Sequence, residues 1–420
     1  MSNMLKRVVV TGLGALTPIG NTVEEYWNAL VNGVSGADAI TLFDAEKFKT
    51  RFACEVKNFN IEDFMNRKDA RKLDRYAQFA MVASAEAIDN SGLLNTPDLD
   101  KDRVGVIWAS GIGGMITFLE EMRSYVSGDG TPRFNPFFIP KMILDIAAGH
   151  ISMKYGFRGP NYATVSACAS STHGIIDAFN LIRLGKADAF VVGGSEAAVT
   201  ESGIGGFNAM KALSERNDDP KTASRPFDPT RDGFVLGEGA GALILEELEF
   251  AKKRGANIIC EIAGGGMSAD AYHLTAPHPE GLGVINVIHA VLDDAHMQPK
   301  DIDYINVHGT STPIGDIAEL TAIEKVFGED AYDLNISSTK SMTGHLLGAA
   351  GAIEAVASIL AMKNSIVPPT INHTTTDPDI DPKLNLTLNK AQERNIDAVL
   401  SNTFGFGGHN ASVIFKKYQE

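Results

Sequence analysis

One cysteine and two histidines stand in surroundings that could support covalent chemistry. Cys168 lies in NYATVSACASS, where a β-branched run meets a helical pattern. Its neighbours Ala167, Ala169, Ser170 and Ser171 are all small, so a carbonyl carbon could approach the sulfur. The unpaired N–H groups of a helix N-terminus favour a thiolate, and this placement predicts a nucleophile with a lowered pKa. Free cysteine is more often packed core. Cys54 and Cys260 have no comparable setting, and Cys260, inside Asn-Ile-Ile-Cys-Glu-Ile, reads as core.

His308 closes a strand-like run and opens HGTSTPIGD, where Thr310 and Thr312 offer hydroxyls. His345 lies in STKSMTGHLLGAAGAIE, with Lys340 five residues before it and Glu354 nine after. Either histidine alone is more readily structural. As a pair, each at a strand-to-loop junction beside Gly and Thr, they read as a two-donor site. His173 and His273 are intermediate, and His150, His278, His289, His296 and His373 read as structural or surface. HxxxH and CxxC spacings are absent, which disfavours zinc. Neither GxxxxGK[ST] nor a complete GxGxxG occurs, which disfavours nucleotide binding.

Short β-branched runs alternate with helical patterns, which predicts an α/β fold. Residues 8–10 lead into a Gly-rich turn, and Thr22 with Glu25 forms a capping box ahead of a helix. A longer amphipathic helix starts near Lys72, with Leu73, Tyr76, Phe79, Ala80, Ala83 and Ala87 on one face. A strand over 104–109 enters SGIGG. Strand 162–166, helix 170–184 and strand 189–192 make a βαβ crossover with parallel strands. From about residue 255 the grammar restarts. Strands over 258–263, 302–307, 334–338 and 398–401 enter GGGMS, HGTST, a helix near Leu346 and FGFGG. The chain therefore divides into a half over 1–254 that carries Cys168 and a half over 255–420 that carries the histidines. No linker-like composition separates them, so the two are expected to pack as one body.

The 420 residues carry 37 Lys and Arg against 52 Asp and Glu, a net charge of −15 that argues against a broad nucleic-acid surface. No apolar run has the length of a membrane span. Lys6 and Arg7 before three valines read as the edge of a first strand rather than a signal segment. Three scattered cysteines make neither a disulfide framework nor a zinc site, and the expected setting is the reducing cytoplasm.

The ordered set VVVTGLG, SGIGG, SACASS, RPFDPTRDGFVLGEGAG, MSADAYHLTAP, HGTSTPIGD, STKSMTGHLLGAAG and SNTFGFGGHN resembles the β-ketoacyl-[acyl carrier protein] synthases along essentially the whole chain. Within that family it is most similar to the elongating synthase II class of type II fatty acid synthesis. The resemblance implies a duplicated thiolase-type fold in five α-β-α-β-α layers, and a homodimer. It implies decarboxylative Claisen condensation of acyl- with malonyl-[acyl carrier protein] to a 3-oxoacyl product. Cys168 would carry the acyl chain as a thioester, and His308 and His345 would bind the malonyl carbonyl. Lys340 and Glu354 would order the site. The backbone N–H groups of Cys168 and Phe406 would form an oxyanion hole, where each donor is worth about 3 kcal/mol. Thr310 and Thr312 would bind the phosphopantetheine arm, Phe404 and Phe406 would gate entry, and Ile112 would close the acyl pocket. No cofactor is required, although a structural monovalent cation is compatible with the resemblance.

In this resemblance acyl carrier protein is acidic, so a local basic patch must overcome overall repulsion. Lys68, Arg71 and Lys72 at a helix start, joined by Lys211, fit that need. Arg133 is a weaker candidate, because its segment looks one residue short. His409 follows FGFGG where relatives carry a smaller polar residue. The alternatives are a synthase I or polyketide-type ketosynthase, and a non-catalytic chain-length-factor-like partner. Retention of Cys168 with both histidines disfavours the last.

Overall fold

The computed structural model describes residues 5–375 and 377–420. Its core strands are β1 (Val8–Leu16), β2 (Val104–Ala109), β3 (Asn161–Tyr162), β4 (Ala189–Glu196) and β5 (Gly239–Glu247), then β6 (Cys260–Ala269), β7 (Tyr304–Asn306), β8 (Asn335–Ser337), β9 (Ala398–Gly405) and β10 (His409–Lys416). The first five lie in the order β3-β2-β4-β5-β1 and the second five in the order β8-β7-β9-β10-β6. Both halves thus follow one rule, third-second-fourth-fifth-first. In each half the first three strands of that order pair in parallel and the remaining two pairings are antiparallel. Residues 8–10 of β1 pair with 260–262 of β6 and join the halves.

Helices fill the space on both sides. α1 (Arg75–Ser91) packs on β1, β4 and β5, and α2 (Ile146–Tyr155) packs beside it. α4 (Leu282–Ala295) covers β6 and β10, with α5 (Pro313–Phe327) against it. α3 (Ser170–Arg183) and α6 (Ala350–Asn364) touch strands of both halves and each other. These contacts give five layers, α-β-α-β-α. Three apolar cores match them, one between the two strand layers and one under each outer helix layer. α6 is buried on every side from Ala350 to Met362, as its nearly uninterrupted apolar sequence requires.

Several local expectations are corrected. VVVTGLG and IAGGGMS are not turns, because β1 and β6 run straight through them. A Cβ at Gly12 or Gly14 would lie 2.2 or 2.0 Å from carbonyl oxygens of α1, and one at Gly264 or Gly266 would collide with the backbone of α4. These glycines let the outer helix approach the first strand of each half. The strand expected over 162–166 shrinks to β3, Asn161–Tyr162, and β3 and β4 are each parallel to β2, which lies between them, rather than paired with each other. The long helix begins at Arg75 with Asp74 as its N-cap, and the basic run sits on a separate turn, Arg67–Ala70, capped by Asn66.

Candidate active site

α3 and α6 begin face to face. Ala352 N–H donates to Ser171 Oγ at 2.9 Å, and a Cβ at Gly351 would meet Thr172 Oγ1 at 2.0 Å. Each half thereby presents, just ahead of its central helix, one residue with reactive side-chain chemistry. These are Cys168 from the first half and His345 from the second. Ala167 takes φ 50, which makes the strand-to-helix passage a sharp elbow. Ser170 Oγ locks it, accepting from Ser166 N–H and donating to the Ala167 carbonyl.

His345 Nε2 stands 2.9 Å from Cys168 Sγ. The His308 ring meets that of His345 edge-on, with centroids 5.3 Å apart at 88°. Phe234 packs edge-on to His345, and Phe404 tilts against His308 at 5.5 Å. Burial, with the Lys340 charge nearby, holds both imidazoles well below their ordinary pKa of 6.5. They are neutral donors at neutral pH. Lys340 is itself buried and ion-paired to Glu354, whose carboxyl burial pushes upward against the pull of Lys340.

The thiol departs from the sequence expectation. Burial pushes the Cys168 pKa up to about 12, outweighing the pull of Lys340 and of the Phe406 backbone N–H. The lowered pKa inferred from the helix start is therefore wrong for the resting site: desolvation exceeds the helix-terminus effect. The thiol is protonated, and His345 is the base within reach.

Phe406 and Gly405 lie over the elbow. A Cβ at Gly405 would sit 2.6 Å from the Ser166 carbonyl oxygen and 3.1 Å from Cys168 N, so glycine is needed for this approach. Gly407 N–H donates to the Leu274 carbonyl, and Asp270 N–H to that of Gly408. Thr310 and Thr312 follow His308, with their hydroxyls 3.2 Å apart. Ile112, half-buried, packs with Phe207 against the apolar cluster that contains Cys168, Phe234 and Leu347.

Two buried carboxylates were not singled out from sequence. Glu319 accepts from the backbone N–H groups of His308 and Gly309, both at 2.9 Å. Glu196 accepts from residues 110–113 and from Gly348. An acidic residue closing the apolar run AFVVGGSE is the signal that could have found Glu196. Glu319 occupies a buried position of α5 beside Leu320 and Ile323.

The carrier-docking candidates fall in two places. Lys68 and Arg71 are exposed, while Lys72 Nζ is held by Asp69 at 2.8 Å. Lys211, with φ 56, lies in another turn two residues before Leu213, which pairs with Phe234. Among the described residues no hydrogen bond or ion pair joins Lys211 to residues 67–72. His409 is exposed at the start of β10. Asn306 Oδ1, Ser401 Oγ and Glu354 Oε2 are buried without hydrogen-bond partners among the described residues. Asn306 and Ser401 are register partners on β7 and β9. Among the described residues no three His, Cys, Asp or Glu side chains gather as metal ligands, and no helix is long and apolar enough to cross a membrane.

Comparison with known proteins agrees with this geometry. Residues 5–251 match the model of the β-ketoacyl synthase N-terminal domain, and residues 259–374 that of its C-terminal domain. The chain is 51% identical over 414 residues to a 3-oxoacyl-[acyl-carrier-protein] synthase 2 of Staphylococcus aureus, with 99% of each chain covered. It is 49% identical over 414 residues to the protein of that name from Synechocystis sp., again covering 99% of each. A β-ketoacyl synthase structure from Burkholderia phymatum superposes with a TM-score of 0.91 at 35% identity, covering 99% of this chain and 100% of that one. A type II polyketide ketosynthase, solved in complex with its acyl carrier protein, gives 0.89 at 35% identity, covering 99% and 100%. With both family models matched and relatives aligned end to end, the chain belongs to the β-ketoacyl synthase family.

Proposed function

We propose that this protein elongates acyl chains by decarboxylative condensation of acyl- with malonyl-[acyl carrier protein], as a synthase of the second class. The observation that carries the reading is the meeting of His345 Nε2 with Cys168 Sγ at 2.9 Å, beside a second neutral imidazole. In the first half-reaction the Cys168 sulfur attacks the acyl thioester as His345 takes the thiol proton. The departing pantetheine thiolate is protonated as the imidazolium gives up one proton, which leaves His345 neutral with its N–H on Nε2, and the charge is balanced. The N–H groups of Cys168 and Phe406 hold the tetrahedral oxyanion.

In the second half-reaction His308 and His345 donate to the malonyl thioester carbonyl. Loss of CO₂ leaves an enolate whose oxygen they stabilise. Its carbon attacks the acyl-Cys168 carbonyl, and the expelled cysteine thiolate regains one proton from solvent. Charge develops on oxygen, so neutral N–H donors serve better than a base. Lys340 and Glu354 hold the electrostatics around them. Thr310 and Thr312 receive the pantetheine arm, Phe404 and Phe406 line the entrance, and Ile112 forms the wall of the acyl pocket.

The carrier protein is the partner in this reading, docking on Lys68, Arg71, Lys72 and Lys211. A homodimer belongs to it as well. Its support is the open edge of β3 and the exposed apolar side chains Phe118, Val126, Phe134, Phe137 and Ile139. A structural monovalent cation belongs to the reading as well, and the orphaned oxygens of Asn306 and Ser401, register partners on β7 and β9, are the residues that would hold it and whose lone pairs its charge would satisfy. The reaction takes place in the cytoplasm. Polyketide condensation is the second reading, favoured by the 35% identical ketosynthase. A panel of acyl carrier protein thioesters with malonyl carrier protein separates the two. One round of extension across saturated chains supports the proposal, and repeated extension to poly-β-keto products overturns it.

A further inference from the structure

The loop that carries Ile112 rests on a buried carboxylate for which the chemistry above has no use. Glu196 ends β4 with no exposed surface. Its Oε1 accepts from Ser110 Oγ at 2.9 Å, Ile112 N–H at 3.1 Å and Gly113 N–H at 3.3 Å. Its Oε2 accepts from Gly111 N–H at 2.7 Å and from Gly348 N–H at 3.0 Å. Every partner donates, which is the environment of an acceptor-only group. The two oxygens therefore join two segments far apart in sequence. One is the 110–113 loop, and the other is the turn Leu347–Ala349 between His345 and α6.

Backbone meets backbone across this joint. A Cβ at Gly348 would lie 2.2 Å from Gly111 N, and one at Gly111 would lie 2.8 Å from Glu196 Oε2. Leu347 is held at φ 47 and shares one apolar cluster with Ile112 and Cys168. Glu196 thus holds the backbone from which Ile112 enters the cluster that contains Cys168.

We infer that Glu196 is a positioning residue for acyl-chain selection, clamping residues 110–113 onto the Leu347–Ala349 turn so that Ile112 stands at a fixed depth from Cys168. The inference rests on the reading of Ile112 as the wall of the acyl pocket. Glu196→Gln keeps size and shape, but its NH₂ must face N–H groups on one side or the other, and the loop has to shift. Pocket walls discriminate chain length through small displacements, so selectivity is the quantity that responds.

The test measures kcat/KM for condensation over a series of saturated acyl carrier protein thioesters. Wild type, E196Q, Ser110→Ala and Ile112→Ala are compared, with folding checked by circular dichroism and thermal melting. The expected result is a folded E196Q whose discrimination between its best and worst chain lengths changes by about tenfold. Ser110→Ala, which removes one donor, shifts the profile in the same direction by less. An unaltered profile in folded E196Q, or one common loss at every chain length, overturns the inference while an altered Ile112→Ala profile leaves the wall intact. An unaltered Ile112→Ala profile overturns the wall reading and the inference with it. If E196Q does not fold, an unaltered profile in Ser110→Ala overturns the inference.

Discussion

The two histidines are not equivalent. His345 touches the sulfur, whereas His308 meets His345 and Phe404, so only His345 can serve both half-reactions. His308→Ala is expected to slow malonyl decarboxylation by about 10²–10³-fold with acyl transfer to Cys168 far less affected. His345→Ala slows both steps, because the thiol raised to about 12 loses its proton acceptor. Single-turnover acylation and CO₂ release separate the two, and equal losses in His308→Ala contradict the assignment. Protonation gives a second check. Both histidines are lowered well below 6.5 in the fold, so the unfolded chain binds protons first on acidification. Their contribution to stability is present above 6.5 and lost as pH falls below it towards their folded values. Nitrogen-15 NMR of labelled histidine should show both rings neutral at pH 6; a titration centred at 6.5 contradicts the buried-donor picture.

At the scale of elements, glycine was the least legible residue. At residues 111–114, and at Gly407 and Gly408, it marks a loop, as the sequence suggests, but Gly405 ends a strand and in VVVTGLG and IAGGGMS glycine lies within one. The local sequence is alike in both cases. What differs is a helix some seventy residues away in the chain for Gly12 and Ala87, and no local pattern carries that information. Gly12→Ala is therefore expected to destabilise the protein by about 1–3 kcal/mol, since its Cβ meets the Ala87 carbonyl. Gly206→Ala, at an exposed position of the helix Glu201–Ala209 with open space around it, should be neutral or slightly stabilising. Denaturant melts decide, and equal effects at the two sites contradict the close-approach reading. The helix starts of Cys168 and the histidine motifs were legible because their chemistry lies in consecutive small and polar residues. Glu196 and Glu319 were not, because a buried carboxylate is defined by the N–H groups that fold around it.

At the scale of the molecule, the repeated strand order explains why one site needs both halves. Each half delivers one central helix, and the cysteine and histidine at their starts meet only when the two pack together. In sequence the second half reads as a rhythm that restarts near residue 255, while the shared strand order emerges only from the pairing pattern. For a chain of net charge −15, the proposed docking of an acidic carrier has to rest on local basic residues. Charge reversal at Lys68 and Arg71 should raise KM for acyl carrier protein about tenfold with kcat nearly unchanged, and the difference should shrink in high salt. A salt-independent defect contradicts docking there.

The central claim is that Cys168 carries the growing chain to an enolate generated beside it. The most direct test incubates wild type and Cys168→Ala with acyl and malonyl carrier proteins, then reads the protein by mass spectrometry and the products by chromatography. The predicted result is an acyl adduct on the Cys168 peptide and a 3-oxoacyl product for wild type, with neither from a folded Cys168→Ala. Full elongation by Cys168→Ala would contradict it.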